Sequence, residues 1–213
     1  MEKSIKNYYI LVASIIGIGV VTFSSRFLKY IDVLWLKISA IVFLNLLNGA
    51  IAYISMRNMK MLISVDFSNK KQYLIGGGIA LALSAAIAII PALCGFSLVG
   101  NHKNFSWFDL VYGFLFNMLI IGPVEELICR VYLQNAFVSI FSRYKWMGVV
   151  MAALLFGLWH LFNGNLFQML FAFGIGLVFG FAKYKIKDCT YISVALGHGL
   201  YDFLITLVRM FIV

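Results

Sequence analysis

Three ionisable residues, Glu125, Glu126 and Arg130, lie within an otherwise apolar stretch, residues 123–134. A charge at the centre of a membrane costs roughly 2.5–3.5 kcal/mol on insertion scales, so such residues indicate a functional site or a partner. Glu126 and Arg130 are four positions apart and share a helix face, where carboxylate and guanidinium can pair. Glu125 points about 100° away, and the residue four positions after it, Cys129, cannot neutralise it. Glu125 is therefore the candidate general base, and the other two are interpreted as a structural ion pair.

Two histidines and one more acid lie in other apolar stretches. His160 follows Phe156 by four positions, with Gly157 between them allowing another helix to approach. His198 and Asp202 are also four apart, and the glycines flanking His198 leave space for a substrate backbone. One such histidine would more often be structural, but two histidines and two acids in apolar stretches, on three helices, indicate a site. At about 1.5 Å per residue they lie roughly 13–25 Å from the inner helix ends and can meet near the membrane centre.

Other chemistries are not supported by motifs. The chain has no HExxH helix for zinc and no GxSxG nucleophile. Its three cysteines, Cys94, Cys129 and Cys189, have no CxxC spacing and are predicted to be small core residues. His102 falls in the polar loop 100–106 and is interpreted as exposed.

Composition assigns the chain to membrane proteins. Of its 213 residues 63% are hydrophobic and 12% charged, against about 45–50% and 25% in soluble domains. No polar stretch is long enough for a second domain, so residues 1–213 are expected to form one integral membrane domain with a retained first helix. The net charge of +9 is dispersed over short loops, which argues against nucleic-acid binding.

The apolar runs predict an all-α, polytopic transmembrane bundle of about seven helices, with eight as the alternative. They are Tyr8–Ser24, Ile31–Met56, Tyr73–Val99, Trp107–Phe141, Trp146–Phe162, Leu166–Tyr184 and Tyr191–Val213. The run Trp107–Phe141 could be one long helix kinked at Gly122-Pro123 or two passes. One pass with a cytoplasmic N-terminus leaves few basic residues outside, namely Arg26, Lys29 and Lys103. That distribution obeys the positive-inside rule, so seven helices are preferred.

Small and amide residues predict where the helices pack. Glycines expected at close contacts are Gly17, Gly19, Gly76, Gly77, Gly78, Gly176 and Gly180. Asn45, Asn48 and Asn117 are expected to form hydrogen bonds between helices.

The pattern resembles the CPBP family of intramembrane proteases, which includes the type II CAAX prenyl endopeptidases and bacterial bacteriocin-processing and immunity proteins. Glu125-Glu126 with Arg130, Phe156 with His160, and His198 with Asp202 match its motifs EExxxR, FxxxH and HxxxN or HxxxD. The resemblance implies a catalytic core over residues 107–213.

The resemblance also implies roles for these residues. Glu125 and His160 activate a water, His198 and Asp202 stabilise or orient the oxyanion, and Glu126, Arg130 and Phe156 support the site. The prenyl endopeptidases carry Asn where this chain has Asp202, so this carboxyl group is protonated, orients His198 or helps to bind a metal. If a divalent metal such as zinc is present, its ligands come from Glu125, His160, His198 and Asp202.

The function expected from these observations is an intramembrane endopeptidase that cleaves a membrane-associated peptide or protein at the cell membrane. The alternative is a partner without catalytic activity, or a bacteriocin self-immunity protein, that binds a peptide or another membrane protein. A small-solute transporter has no support, because neither an inverted repeat nor a pair of broken helices is detectable.

Overall fold

The computed structural model describes residues 2–100 and 106–211, and all regular secondary structure within them is helical. These residues form seven helical segments: α1 Glu2–Ser24, α2 Leu34–Asn58, α3 Lys70–Leu93, α4 Trp107–Ile140, α5 Lys145–His160, α6 Leu166–Lys185 and α7 Tyr191–Phe211. By length and composition, six can cross a membrane, and α5 is a shorter apolar helix of 16 residues. The predicted all-α polytopic bundle of about seven helices is confirmed.

Both prolines of the chain lie just after a widened helical turn. A π-helical segment, Ala85–Ile89, precedes Pro91 in α3, and another, Asn117–Ile121, precedes Pro123 in α4. Proline lacks an N–H group, and in an α-helix its ring clashes with the carbonyl four residues earlier, so a wider turn accommodates it. The run from Trp107 is thus one continuous helix, as preferred, with a π turn where a kink was expected.

Two predicted helix ends were wrong. α3 stops at Leu93, six residues before the predicted end at Val99, because the chain turns at Gly95, whose φ of +84° is a left-handed conformation that favours glycine. Cys94 at this end is exposed and is not a core residue, whereas Cys129 and Cys189 are buried as predicted. α2 begins at Leu34, three residues after the predicted start at Ile31, because residues 31–33 have no helical structure after a 3₁₀ turn over Ser25–Tyr30.

The helices form two compact units. Unit 1 contains residues 1–64 and 124–186, hence α1, α2, the second part of α4, α5 and α6. Unit 2 contains residues 65–123 and 187–213, hence α3, the first part of α4 and α7.

In unit 1, small residues and one amide join the helices. Gly157 of α5 faces α6 so closely that a Cβ there would lie 2.8 Å from the carbonyl oxygen of Met169. Asn48 of α2 donates from Nδ2 to Thr22 Oγ1 of α1 at 3.1 Å, which confirms its predicted hydrogen bond between helices. For Asn45 that prediction was wrong, since its amide donates to a carbonyl one turn earlier in α2.

In unit 2, α3 and α7 pack through glycine. A Cβ on Gly76 would lie 2.5 Å from the carbonyl oxygen of Ser193, so only glycine fits this crossing. Gly77 and Gly78 have no neighbouring heavy atom within 4 Å of such a Cβ, so they do not mark the close contact that was predicted. These two glycines face open space because successive positions on a helix point about 100° apart, so they lie on other sides of α3 than Gly76.

Candidate functional site

Glu126 and Arg130 form the predicted ion pair in the core of unit 1. Arg130 Nε donates to Glu126 Oε2 at 3.1 Å, and neither side chain is exposed at all. The guanidinium fits against α6 because Gly176 stands opposite it; a Cβ there would lie 3.3 Å from Arg130 Nη2. The Phe156 ring of α5 lies 5.6 Å from Arg130 Cζ, at cation–π distance. The pair is therefore enclosed by three helices and has no access to substrate.

Gln134 belongs to the same cluster, although the sequence analysis did not single it out. It lies four positions after Arg130, and its Nε2 donates to the carbonyl oxygen of Gly180 at 3.1 Å. A π-helical segment over Leu127–Leu133 connects the two, and the Gln134 N–H bonds to the carbonyl of Cys129. The signal in the sequence was the continued four-residue spacing of polar residues after Glu126.

His160 ends α5 with a defined tautomer. Its Nδ1 lies 2.8 Å from the carbonyl oxygen of Phe156, and the two rings meet edge to face at 4.5 Å. A carbonyl oxygen can only accept, so Nδ1 carries the hydrogen, and the neutral imidazole has its lone pair on Nε2. His160 is only half-buried, which leaves this nitrogen suited to accept a proton or bind a ligand.

Glu125 differs from Glu126 in burial, since it is half-buried whereas Glu126 is completely enclosed. Its neighbour Val124 contacts α2, where a Cβ on Gly49 would lie 3.4 Å from Val124 Cγ1. The backbone of α2 thus comes close beside the first turn of the motif.

The end of α5 is attached to the same end of α1. Trp159 Nε1 lies 3.4 Å from where a Cβ on Gly19 would be, and Asn163 Nδ2 donates to Ser25 Oγ at 2.6 Å. His160 lies between Trp159 and Asn163 in sequence and is therefore level with this last part of α1.

A hydrogen-bonded cluster, which the sequence did not indicate, connects the second part of α4 with α1 and α2. The hydroxyl of Tyr132, a fully buried residue, bonds to Ser14 of α1 and to Ser55 of α2. Isolated serines in apolar helices gave no signal because serine occurs at many helix contacts.

His198 and Asp202 belong to unit 2, where they form a pair within α7. His198 Nε2 lies 3.5 Å from Asp202 Oδ2, and the two side chains are 5% and 30% exposed. The expected space for a substrate beside His198 is absent at Gly199, since a Cβ there would lie 2.6 Å from the carbonyl oxygen of Asn117 in α4. This glycine serves helix packing. His102 lies outside the described residues.

The predicted metal site can be compared with the positions of its potential ligands. Among residues 2–100 and 106–211, no group of three or more His, Cys, Asp or Glu side chains is close enough to hold one ion. Glu125 and His160 belong to unit 1 and His198 and Asp202 to unit 2, so a metal site made from these residues stays a prediction.

Comparison with known proteins finds a similarity in the C-terminal part of the chain. Residues 106–204 match the family model described as type II CAAX prenyl endopeptidase Rce1-like. No curated protein and no solved structure shows significant similarity to the chain. All three motifs lie inside the matched residues, so this part of the chain is similar to the type II CAAX prenyl endopeptidases, as the motifs predicted.

Proposed function

We propose that this protein is an intramembrane endopeptidase in which Glu125 and His160 activate the water that cleaves a membrane-associated peptide or protein. The observation that carries the proposal is the different environment of two adjacent carboxylates. Glu126 is enclosed and paired with Arg130, whereas Glu125 is half-buried next to it. An accessible carboxylate on a turn fixed by a buried ion pair is suited to general-base catalysis.

In the proposed reaction Glu125 removes a proton from water while the water oxygen bonds to the carbonyl carbon of the peptide. The carbonyl oxygen becomes an oxyanion. When the C–N bond breaks, the proton taken up by Glu125 passes to the departing nitrogen, and the base is regenerated. His160, with its lone pair on Nε2, binds the water or relays this proton. A metal would supply Lewis-acid activation of the water, but no step here depends on one.

For His198 and Asp202 we retain the role that the family resemblance implies, which is to stabilise or orient the oxyanion. Of the three states considered for Asp202, the distance of 3.5 Å to His198 Nε2 favours the one in which the carboxylate orients the imidazole. An ionised carboxylate next to the oxyanion would repel it, whereas one that holds a histidine N–H in place avoids this repulsion.

The proposed substrate is a peptide or protein in or at the membrane, since a protease built from apolar helices meets its substrates within the bilayer. We also propose a cytoplasmic N-terminus in the cell membrane, because that orientation keeps most basic loop residues inside.

Membrane proteomics tests the proposed function. Amino termini created by cleavage would be compared between membranes containing the wild-type protein and the variants Glu125→Gln, His160→Ala and Asp32→Asn. We expect the first two variants to insert normally and to lose the same set of new termini. The exposed acid Asp32 is the matched control and should change nothing.

Two results would contradict this proposal. Wild-type amounts of every cleavage product in the Glu125→Gln membranes would exclude the catalytic role of Glu125. Full restoration of a biological activity, such as bacteriocin resistance, by Glu125→Gln would instead support a protein that acts by binding.

A further inference from the structure

Asn48 of α2 is a buried polar residue outside the family match, and its hydrogen bonding is incomplete. The residue is 8% exposed, and its Nδ2 donates to Thr22 Oγ1. Its Oδ1 is buried and has no hydrogen-bond partner among residues 2–100 and 106–211. Leaving a buried acceptor unsatisfied is unfavourable because it has lost its bonds to water, so a donor is expected to occupy this position.

The helix register shows which groups are level with this oxygen. Tyr132 of α4 bonds to Ser14 of α1 and Ser55 of α2, so these three residues define one layer of unit 1. Seven or eight residues along each helix correspond to about 10–12 Å. A second layer lies this distance along each helix from the first, in the direction of the C-terminal end of α1.

The second layer contains Thr22, Asn48 and Glu125. Two contacts support this register independently: Asn48 bonds to Thr22, and Gly49 touches Val124, the residue before Glu125. Asn163, three positions after His160, bonds to Ser25, the residue that directly follows α1. The unsatisfied oxygen of Asn48 is therefore level with both groups that are proposed to activate water.

We infer that Asn48 Oδ1 accepts a hydrogen bond from the water that Glu125 deprotonates, which makes Asn48 a further residue of the catalytic site. This inference rests on the function proposed above. A water has two O–H groups: one would point to the Glu125 carboxylate and the other to Asn48 Oδ1, which leaves a lone pair directed at the substrate carbonyl. Buried waters need two to four polar partners, and these two acceptors supply the minimum.

The structure explains why an amide suits this position. In the structure Nδ2 donates to the Thr22 hydroxyl, so Oδ1 is the amide atom that is left to accept from a water. A neutral oxygen orients the water without competing for its proton, as a second carboxylate would. Asn45, one turn earlier in α2, uses its amide within its own helix and offers a matched control.

The first test separates the oxygen of Asn48 from its bond to Thr22. Asn48→Leu removes both groups, whereas Thr22→Val removes only the partner of Nδ2. The assay is the rate at which membranes form those new amino termini that disappear in Glu125→Gln. We expect this rate to be at least about tenfold lower with Asn48→Leu than with Thr22→Val. A tenfold change corresponds to about 1.4 kcal/mol, which is the contribution of one hydrogen bond. Asn45→Leu should retain the wild-type rate.

Equal rates for Asn48→Leu and Thr22→Val would refute the inference and leave the protease function intact. If the Glu125→Gln membranes lack none of the new amino termini that form in wild-type membranes, the proposed function is refuted instead. A second measurement needs no substrate: an experimental structure at about 2 Å should show a water that bonds to Asn48 Oδ1 and to the Glu125 carboxylate. A protein donor on Oδ1, or an empty position there, would refute the inference.

Discussion

Replacing Glu126 by leucine should destabilise this protein far more than any change at Glu125. The substitution leaves the Arg130 guanidinium without the carboxylate that binds its Nε, in a position with no exposure at all. Removing one member of a buried ion pair typically costs about 3–5 kcal/mol. At about 2–4 °C per kcal/mol for a chain of this size, Tm should fall by roughly 6–20 °C.

The double variant Glu126→Leu/Arg130→Met should recover most of this loss, because it leaves no unpaired charge and keeps the apolar volume against Phe156. The assay is thermal unfolding of the purified protein in one detergent. Unfolding is measured as the loss of the fraction that remains monodisperse after heating. Glu125→Gln is the control and should change stability by less than about 1 kcal/mol, since that residue is half-buried. A double variant as unstable as Glu126→Leu, or a fully stable Glu126→Leu, would refute the reasoning that this pair is a buried and mutually dependent unit.

Three further predictions concern packing, topology and metal. Gly199→Ala should lower Tm because its Cβ would overlap a backbone oxygen of α4, whereas Gly77→Ala, which meets only open space, should leave the Tm unchanged or raise it slightly; equal effects in thermal unfolding would contradict the packing. A membrane-impermeant maleimide should label Cys94 in intact cells and spare the two buried cysteines, and labelling only after lysis would reverse the proposed orientation. Cleavage should survive strong chelators without addition of zinc, and loss with recovery on zinc addition would show that a metal takes part.

Periodicity and spacing predicted those parts of the fold that follow from local rules. Charges four residues apart identified the pair of Glu126 and Arg130, and the apolar runs identified seven helices. Periodicity and spacing failed where contacts between helices determine the role of a residue. Gly199 looked like space for a substrate, but only the structure shows that α4 occupies it.

The candidate site was predicted only in part for the same reason. The motifs named the acids and histidines, but the contribution of α1 and α2 depends on which helix lies beside the motif. Asn48 and Asn45 have the same residue type on the same helix, and only packing distinguishes an amide that bridges two helices from one that bonds within its own. Helix periodicity also assumes 3.6 residues per turn and cannot reveal π turns.

The π-helical segment Leu127–Leu133 imposes a constraint on how the length of this protein can vary during evolution. Deleting one residue there would restore ordinary α-helical hydrogen bonds, so the backbone itself would tolerate the loss. Every residue after the deletion would, however, turn by about 100° relative to Glu125, and Tyr132 and Gln134 would leave their partners on three other helices. Insertions and deletions in this segment should therefore be eliminated even where one apolar residue can replace another. A designer who shortens the helix to regularise it would disconnect the glutamate pair from the residues that hold it in place.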